Sequence, residues 1–549
     1  MNQQLPQKPP SFLSGVRVLT LSALLVKVIG LFYRIPMLDR LGTEGMGYFN
    51  TAYELYALFC VLSTAGLPVA MSVLIASLEA EGRRVDVERV YRVALCLFAA
   101  VGTVGTALLW GLSAPFAELL GNPPSAVCMR AISPTVLLIC LSSAFRGYFQ
   151  GRGNMIPTAL SQVIEAGGKL FLGLAFAALA RSRGADLPTT AACAVMGLTV
   201  GTAVSVLYLL AHKMLENRRL VHRRGIENRA DGAGDRPLEP PRPVLRPLLA
   251  TAIPVTFSAG VISLTKCIDL ALILRRLQAV GYTAAEANSL YGCYSTLAVP
   301  VFNILPSLTT SVALSAVPAL SAALKRGKDG VGELRKTAVS ALGLTLAAAI
   351  PAALGMAVFA KDILALLFGG QPEAVATAAP WLSCLGLSVP AACLVTVTGA
   401  MLQAAGRASR PILSMFAGVA CKTALAYVLL GVEGVGMMGA PISSLVCDTV
   451  IVTVNLVFIR RYAPDMLPSI SEGVAVFGAP TLLAAASVAV VRILRRVLGW
   501  QAVTPLHTLA TVACVGCLYG AGMLVIALKT GLLAERGGRP VSLSRIFKE

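Results

Sequence analysis

"LLVKVIGLFYRIPMLDRLGTEGMGYFN", residues 24–50, decides the fold class of this chain. It reads as a membrane helix running into a polar turn, yet Lys27 and Arg34 lie inside its apolar run. Seven residues separate them, close to two helical turns, so both cations fall on nearly one face. A lysine or arginine at the bilayer centre costs about 2.5–3.5 kcal/mol on insertion scales. Two on one stripe are tolerated where the side chains snorkel to an interface. They are equally tolerated where the stripe faces a water-filled cavity and an anionic ligand.

The rest of the chain has the same character. Of its 549 residues, 56% are hydrophobic and 13% charged, and mean hydropathy is +0.76. Soluble domains carry about 25% charged residues, so this is a polytopic membrane composition. The opening "MNQQLPQKPPSFLSG" is polar and proline-rich, with no charged region ahead of a short cleavable core. It predicts a retained first span instead of a removed signal peptide. A net charge of +19 would point to nucleic acid in a soluble protein. In a membrane protein the location of the charge matters more, and no nucleic-acid partner is expected. Thirteen cysteines are scattered, mostly through apolar runs; Cys514 and Cys517 have neither a second pair nor a nearby ligand histidine. No metal, cofactor or disulfide framework is expected from them.

Fourteen apolar runs reach the roughly 20 residues that one bilayer crossing needs, among them 48–78 and 287–320, each read as one helix. The prediction is an all-α polytopic protein of about fourteen transmembrane helices. With the N-terminus placed in the cytoplasm, 31 Lys and Arg fall at cytoplasmic ends and 10 on the opposite side. That bias predicts a multi-pass protein of the cell membrane with both termini cytoplasmic. Residues 216–247, "ENRRLVHRRGIENRADGAGDRPLEPPRPVLRP", read as a flexible, solvated linker. The expected domains are an N-terminal lobe of six helices (1–214), a cytoplasmic linker (215–247) and a C-terminal lobe of six (248–462). Two additional helices and a tail (463–549) complete the chain.

The halves repeat weakly. Lys27 with Gly42 matches Lys266 with Gly281 at an offset of 239, and Gln150 with Lys169 matches Gln403 with Lys422 at 253. Two matches in the same order argue for duplication, with pseudo-symmetric lobes related by an axis along the membrane normal. Charge inside the membrane then defines the candidate site. Lys27, Arg34, Glu54 and Lys266 are candidates for substrate binding. Glu165 with Lys169 and Lys266 with Asp269 are spaced to pair on one helix face. With Lys422 and Asp448 they are either ion-coupling sites or structural neutralisation. Gly151-Arg152-Gly153 is too short for a phosphate loop and reads as a turn, and prolines 300, 306 and 318 mark bends in the eighth span.

Three stretches carry a family resemblance: "KVIGLFYRIPMLDRLGTEGMGYFNTAYELY" (27–56), "STAGLPVAMSVLIASLEAEG" (63–82) and "RGYFQGRGNMIPTALSQVIE" (146–165). On these the chain resembles the multidrug/oligosaccharidyl-lipid/polysaccharide flippase superfamily, and most closely its stage V sporulation protein B branch, related to the lipid II flippases. The resemblance implies two six-helix lobes around a central cavity, alternating access and a lipid-linked sugar substrate. It implies cavity cations on the first span, where Lys27 and Arg34 stand. The lipid II flippases also use arginines in the second and eighth spans, and 48–74 and 289–317 contain none here. What carries over is therefore an anionic lipid-linked precursor.

The function expected is a flippase for a lipid-linked oligosaccharide or peptidoglycan precursor, without covalent chemistry. Its partners would be that substrate, membrane lipids and a coupling cation or proton. The alternatives are a cation-coupled multidrug antiporter of the same fold, which would prefer an acidic cavity, and a membrane glycosyltransferase or polymerase. The last would need catalytic acids on a sizeable external loop, and the predicted external loops are short.

Overall fold

The computed structural model describes residues 12–64, 66–230, 245–498 and 505–530, and all of its regular structure is helical. Among these described residues, eleven helical segments are long and apolar enough to cross a membrane. Among the described residues the chain forms two compact units, residues 1–292 and 293–549.

The first unit begins with α1, Phe12–Thr64, which contains one break, at Gly42 with φ 65° and ψ −178°. Only glycine occupies that backbone region without strain, so the break turns one long helix into two arms. Then come α2 (Leu67–Ala80), α3 (Arg84–Gly111), α4 (Ser113–Leu119), α5 (Ala126–Ile132), α6 (Pro134–Gly151), α7 (Ile156–Ser182), α8 (Leu187–Ala230), α9 (Leu245–Ala279) and α10 (Ala284–Cys293). The second expected span, 48–78, is not one helix: α1 ends at Thr64 and α2 starts at Leu67. Pro68 supplies the reason, because it opens α2 at a position where its missing N–H is harmless. The linker reading of 216–247 is corrected in part, since α8 stays helical to Ala230 and α9 starts at Leu245. Residues 231–244 lie outside the described residues.

Close approach of glycines sets the register of α7 on α8. A Cβ on Gly168 would lie 2.3 Å from Gly201 Cα, and one on Gly197 would lie 2.3 Å from Gly173 Cα. Gly197 and Gly201 form a G-x-x-x-G step, which lets membrane helices touch through their backbones. Elsewhere in this unit Leu67, Met71, Ile75, Phe98, Phe145 and Phe149 are buried in one apolar cluster that joins α2, α3 and α6.

A polar knot ties down one end of this cluster. Arg152 donates to Glu79 at 3.1 Å and to Glu216 at 2.5 Å, and Lys213 Nζ sits 2.9 Å from Glu88 and 3.6 Å from the Tyr148 ring centroid. The Gly-Arg-Gly stretch is thus a turn, with Gly153 at φ 74°, and its arginine is structural.

A second polar knot gathers α1, the turn after α4, α9 and α10. The buried Asn122 donates to Thr51 Oγ1 (3.0 Å) and Asn288 Oδ1 (2.8 Å), while Asn288 donates to the Glu44 carbonyl (2.8 Å). Arg275 and Gln278 of α9 donate to the carbonyls of Leu119 (2.7 Å) and Gly121 (2.7 Å).

The second unit contains α11 (Val299–Phe302), α12 (Ile304–Lys325), α13 (Val331–Phe368), α14 (Pro372–Ala404), α15 (Ser409–Leu429), α16 (Gly439–Tyr462), α17 (Ile470–Gly473), α18 (Ala479–Val497) and α19 (Pro505–Thr530). Among the described residues two wide π-type turns occur, Tyr294–Ala298 and Val474–Gly478. Each stands just ahead of a proline, Pro300 and Pro480. A proline ring collides with the carbonyl four residues earlier and offers no N–H, and widening the preceding turn relieves both problems. The last three helices are fastened to α13. Arg495 makes two hydrogen bonds to Asp362 (2.6 and 3.2 Å), Arg335 meets Glu472 at 2.9 Å, and Tyr519 donates to the Ala347 carbonyl at 2.7 Å.

Candidate substrate-binding site

Lys169 of α7 is the centre of the most unusual environment in the first unit. Its ammonium lies 4.3 Å from the ring centroid of Tyr53, 5.0 Å from Tyr33 and 5.6 Å from Phe49. Phe49, Tyr53 and Tyr56 recur at helical spacing on the second arm of α1, and Tyr33 comes from the first arm. Phe49 and Tyr53 are stacked at 6.2 Å with planes 13° apart; Tyr33 lies 6.0 Å from Phe49 and Tyr56 lies 5.8 Å from Tyr53. The Gly42 break is what brings the two arms' rings to one place, and the glycine seam with α8 holds α7 in position. A desolvated lysine over an aromatic face gains about 2 kcal/mol.

The expected Glu165–Lys169 pair does not form. Glu165 is engaged instead by Arg146, at 2.8 Å with both side chains largely buried, and Arg146 Nε also donates to Ser161 at 2.9 Å. Helical spacing permits a four-apart pair, but a planar guanidinium from α6 offers a two-point fork that a lysine cannot match. Among the described residues no carboxylate lies within ion-pair distance of Lys169.

Arg34 belongs to this cluster. It follows Tyr33, is half-buried, and lies within electrostatic range of Tyr53, Glu54 and Lys169. The Glu54 carboxylate makes no hydrogen bond or ion pair among the described residues, and its backbone carbonyl contacts Cys267 Sγ at 3.6 Å. That contact sets α9 beside it. Lys266, next to Cys267, is exposed, as is Lys27, and neither has a carboxylate partner among the described residues.

Lys266 and Asp269 are spaced to meet on one face of α9, but no ion pair between them is seen among the described residues: Lys266 is exposed and Asp269 half-buried. In the second unit, Lys422 of α15 and Asp448 of the adjacent α16 lie within electrostatic range of each other. There too a glycine permits the approach, since a Cβ on Gly418 would meet Ile451 at 2.3 Å.

The structure thus places Arg34, Glu54 and Lys169 together with Lys266 on a neighbouring helix, and Lys422 with Asp448. It leaves Lys27 about two turns from Arg34 along α1. The aromatic face went unread in the sequence, although "YFNTAYELY" (48–56) displays it at one-turn spacing. Arg146 carried no signal, because its role depends on the distance between α6 and α7. Among the described residues no group of three or more His, Cys, Asp or Glu is arranged for a metal.

Comparison with known proteins agrees with this architecture. The polysaccharide biosynthesis protein family model matches residues 12–324, and a MatE family model matches 295–428. The stage V sporulation protein B of Bacillus subtilis (strain 168) is 25% identical over 447 residues, covering 81% of this chain and 82% of that protein. The lipid II flippase MurJ of the same organism is 25% identical over 431 residues, covering 75% and 76%. Among solved structures, a lipid II flippase MurJ in an inward closed conformation superposes with a TM-score of 0.66 at 12% identity, covering 93% of this chain and 99% of that one. One of these relatives is a lipid II flippase, and the fold is shared with the solved flippase structure. This chain belongs to the polysaccharide biosynthesis protein family, within the multidrug/oligosaccharidyl-lipid/polysaccharide flippase superfamily.

Proposed function

We propose that this protein flips a lipid-linked oligosaccharide or peptidoglycan precursor across the cytoplasmic membrane by alternating access, binding its anionic group at Lys27, Arg34, Lys169 and Lys266 with Glu54 alongside. The observation that carries the reading is that Lys27, Lys169 and Lys266 stand in membrane helices without a carboxylate partner among the described residues. Uncompensated cations are retained in a membrane where they meet water and an anion, and a diphosphate offers several anionic oxygens.

The same reading has fourteen spans with both termini cytoplasmic. The eleven apolar segments support that count once Leu21–Ala80, 60 residues long, is divided at Gly42 and the helices Leu245–Ala279 and Pro505–Thr530 are added. The 31 to 10 distribution of Lys and Arg supports the orientation. The six-plus-six lobes with two additional helices rest on the internal repeat.

The test is flipping of defined lipid diphosphate-linked sugars by purified protein in proteoliposomes. Lys27→Ala, Arg34→Ala, Lys169→Ala and Lys266→Ala are compared at matched protein levels. Loss of flipping in the single variants supports the reading, and a fully active fourfold variant overturns it. A second reading, cation-coupled antiport of organic cations, draws on the MatE match over 295–428 and on Asp448 beside Lys422 as the coupling pair. It requires organic-cation efflux that follows an ion gradient and is abolished by Asp448→Asn.

A further inference from the structure

Tyr53 differs from the other rings around Lys169. Tyr33 and Phe49 are buried, each at 2% exposure, whereas Tyr53 is half-buried. Phe49 lies beside it with its plane nearly parallel, and the two rings form one continuous face. Above the ring sits the Lys169 ammonium at 4.3 Å. Its hydroxyl makes no hydrogen bond among the described residues, nor does the carboxylate of the next residue, Glu54. Polar tips left unsatisfied inside a membrane protein cost several kcal/mol each unless water or a ligand reaches them.

The three groups have a definite joint chemistry. An aromatic face attracts a ring with weakly polarised C–H bonds, and the phenol at its edge and the carboxylate of the next residue can exchange hydrogen bonds with hydroxyls. A saturated, polyhydroxylated ring presents both surfaces at once. A flat peptide or an acyl chain presents only one of them. Lys169 is the group in the way; it lies over the rings with no carboxylate at ion-pair distance among the described residues, and Glu165 and Glu54 act on it only from further off. Its stem has four rotatable carbons, and a charge-assisted bond to an anionic oxygen is stronger than its hold on the rings.

We propose that Tyr53, with Phe49 beside it and Glu54 next to it in the chain, is a glycosyl-ring subsite, and that Lys169 uncovers it by moving its ammonium from the rings to the anionic group of the lipid-linked substrate. The proposal rests on the flippase reading above and names the part of the substrate that this face selects. Anion and sugar then bind in order: the anion draws Lys169 away, and the sugar takes the ring it leaves. A free sugar meets a covered ring and gains little.

The experiment measures binding of three soluble probes to the purified full-length protein: methyl hexoside, farnesyl diphosphate, and farnesyl diphosphate carrying one hexose. The wild type is expected to ignore the hexoside, bind the bare diphosphate, and bind the glycosylated one about ten-fold more tightly, the size of effect that one aromatic stack and one hydrogen bond provide. Tyr53→Ala should bring the affinity ratio of glycosylated to bare probe close to one. Tyr53→Phe, which keeps the ring, should keep most of the ratio, and Glu54→Gln should reduce it. A wild-type ratio near one, or a ratio unchanged in Tyr53→Ala, overturns the subsite while diphosphate binding leaves the flippase reading in place. Tight binding of the free hexoside overturns the ordered exchange by Lys169. Binding of neither diphosphate overturns the flippase reading and the subsite together.

Discussion

Asp362 and Arg495 meet through two hydrogen bonds, 2.6 and 3.2 Å long, with both side chains about 85% buried. This fork joins α13 to α18, and the Arg495 guanidinium also lies 5.7 Å from the Phe359 ring centroid, where α13 departs from helical geometry. Removing one partner leaves the other buried and uncompensated, which costs about 3 kcal/mol or more. Arg495→Ala should therefore destabilise the protein by about that amount, and Asp362→Ala likewise. The double variant should lose less than the two singles added together, as measured by unfolding in detergent. Strict additivity would show that the fork contributes nothing specific.

Lys266 and Asp269 should behave in the opposite way. No ion pair joins them among the described residues, so Lys266→Ala and Asp269→Ala are expected to add within about 0.5 kcal/mol in the same assay. A large coupling energy would mean that the two side chains meet after all.

Gly42→Ala tests the hinge of α1. The backbone there has φ 65° and ψ −178°, a region that costs a residue with a side chain about 1–3 kcal/mol. Space is not the obstacle, since a Cβ would meet nothing within 4 Å. The expected result is a loss of stability of that order with no steric contribution, so Gly42→Ser should cost about the same as Gly42→Ala. A much larger loss for serine would point to crowding.

Gly168→Ala tests contact in place of conformation. The added methyl would stand 2.3 Å from Gly201 Cα, so α7 and α8 must separate, at about 1–3 kcal/mol. Because α7 carries Lys169, diphosphate binding should weaken along with stability. A variant of normal stability and affinity would show that the seam does not position the lysine.

Tyr33→Phe should be silent or slightly stabilising. The Tyr33 hydroxyl is buried without a hydrogen-bond partner among the described residues, so deleting it removes an unsatisfied group and keeps the ring that holds Lys169. The expected change is between zero and about 1 kcal/mol in favour of folding. A loss of more than that would reveal a partner for the hydroxyl.

Much of the architecture was legible because hydropathy is a long-range signal: twenty apolar residues in a row leave few alternatives to a membrane helix. The interruptions were harder. Gly42 looked like any exit-loop glycine, and the break between Thr64 and Leu67 was hidden because Ala65-Gly66 is itself apolar. In the site, Arg34, Glu54 and Lys169 stood out as charges in apolar surroundings. Their partners did not, because pairing is decided between helices. Glu165 had two cations available to it, Lys169 one turn away and Arg146 on α6, and only the packing of α6 on α7 shows which one it binds. The aromatic face was written at regular spacing in 48–56 and was passed over because rings in a membrane helix read as ordinary apolar filling.

The two wide turns ahead of Pro300 and Pro480 also change the phase of the helices that contain them. Each accommodates one residue more than an ordinary turn, so the stripe that leaves it is rotated by about 100° from the stripe that enters. Residues four apart across Tyr294–Ala298 do not share a side, and a stripe drawn straight through 287–320 assigns the wrong outward face to one end. Deleting a single residue from either turn would restore phase but press the proline ring into a carbonyl, so the extra residue and the proline must be gained or lost together.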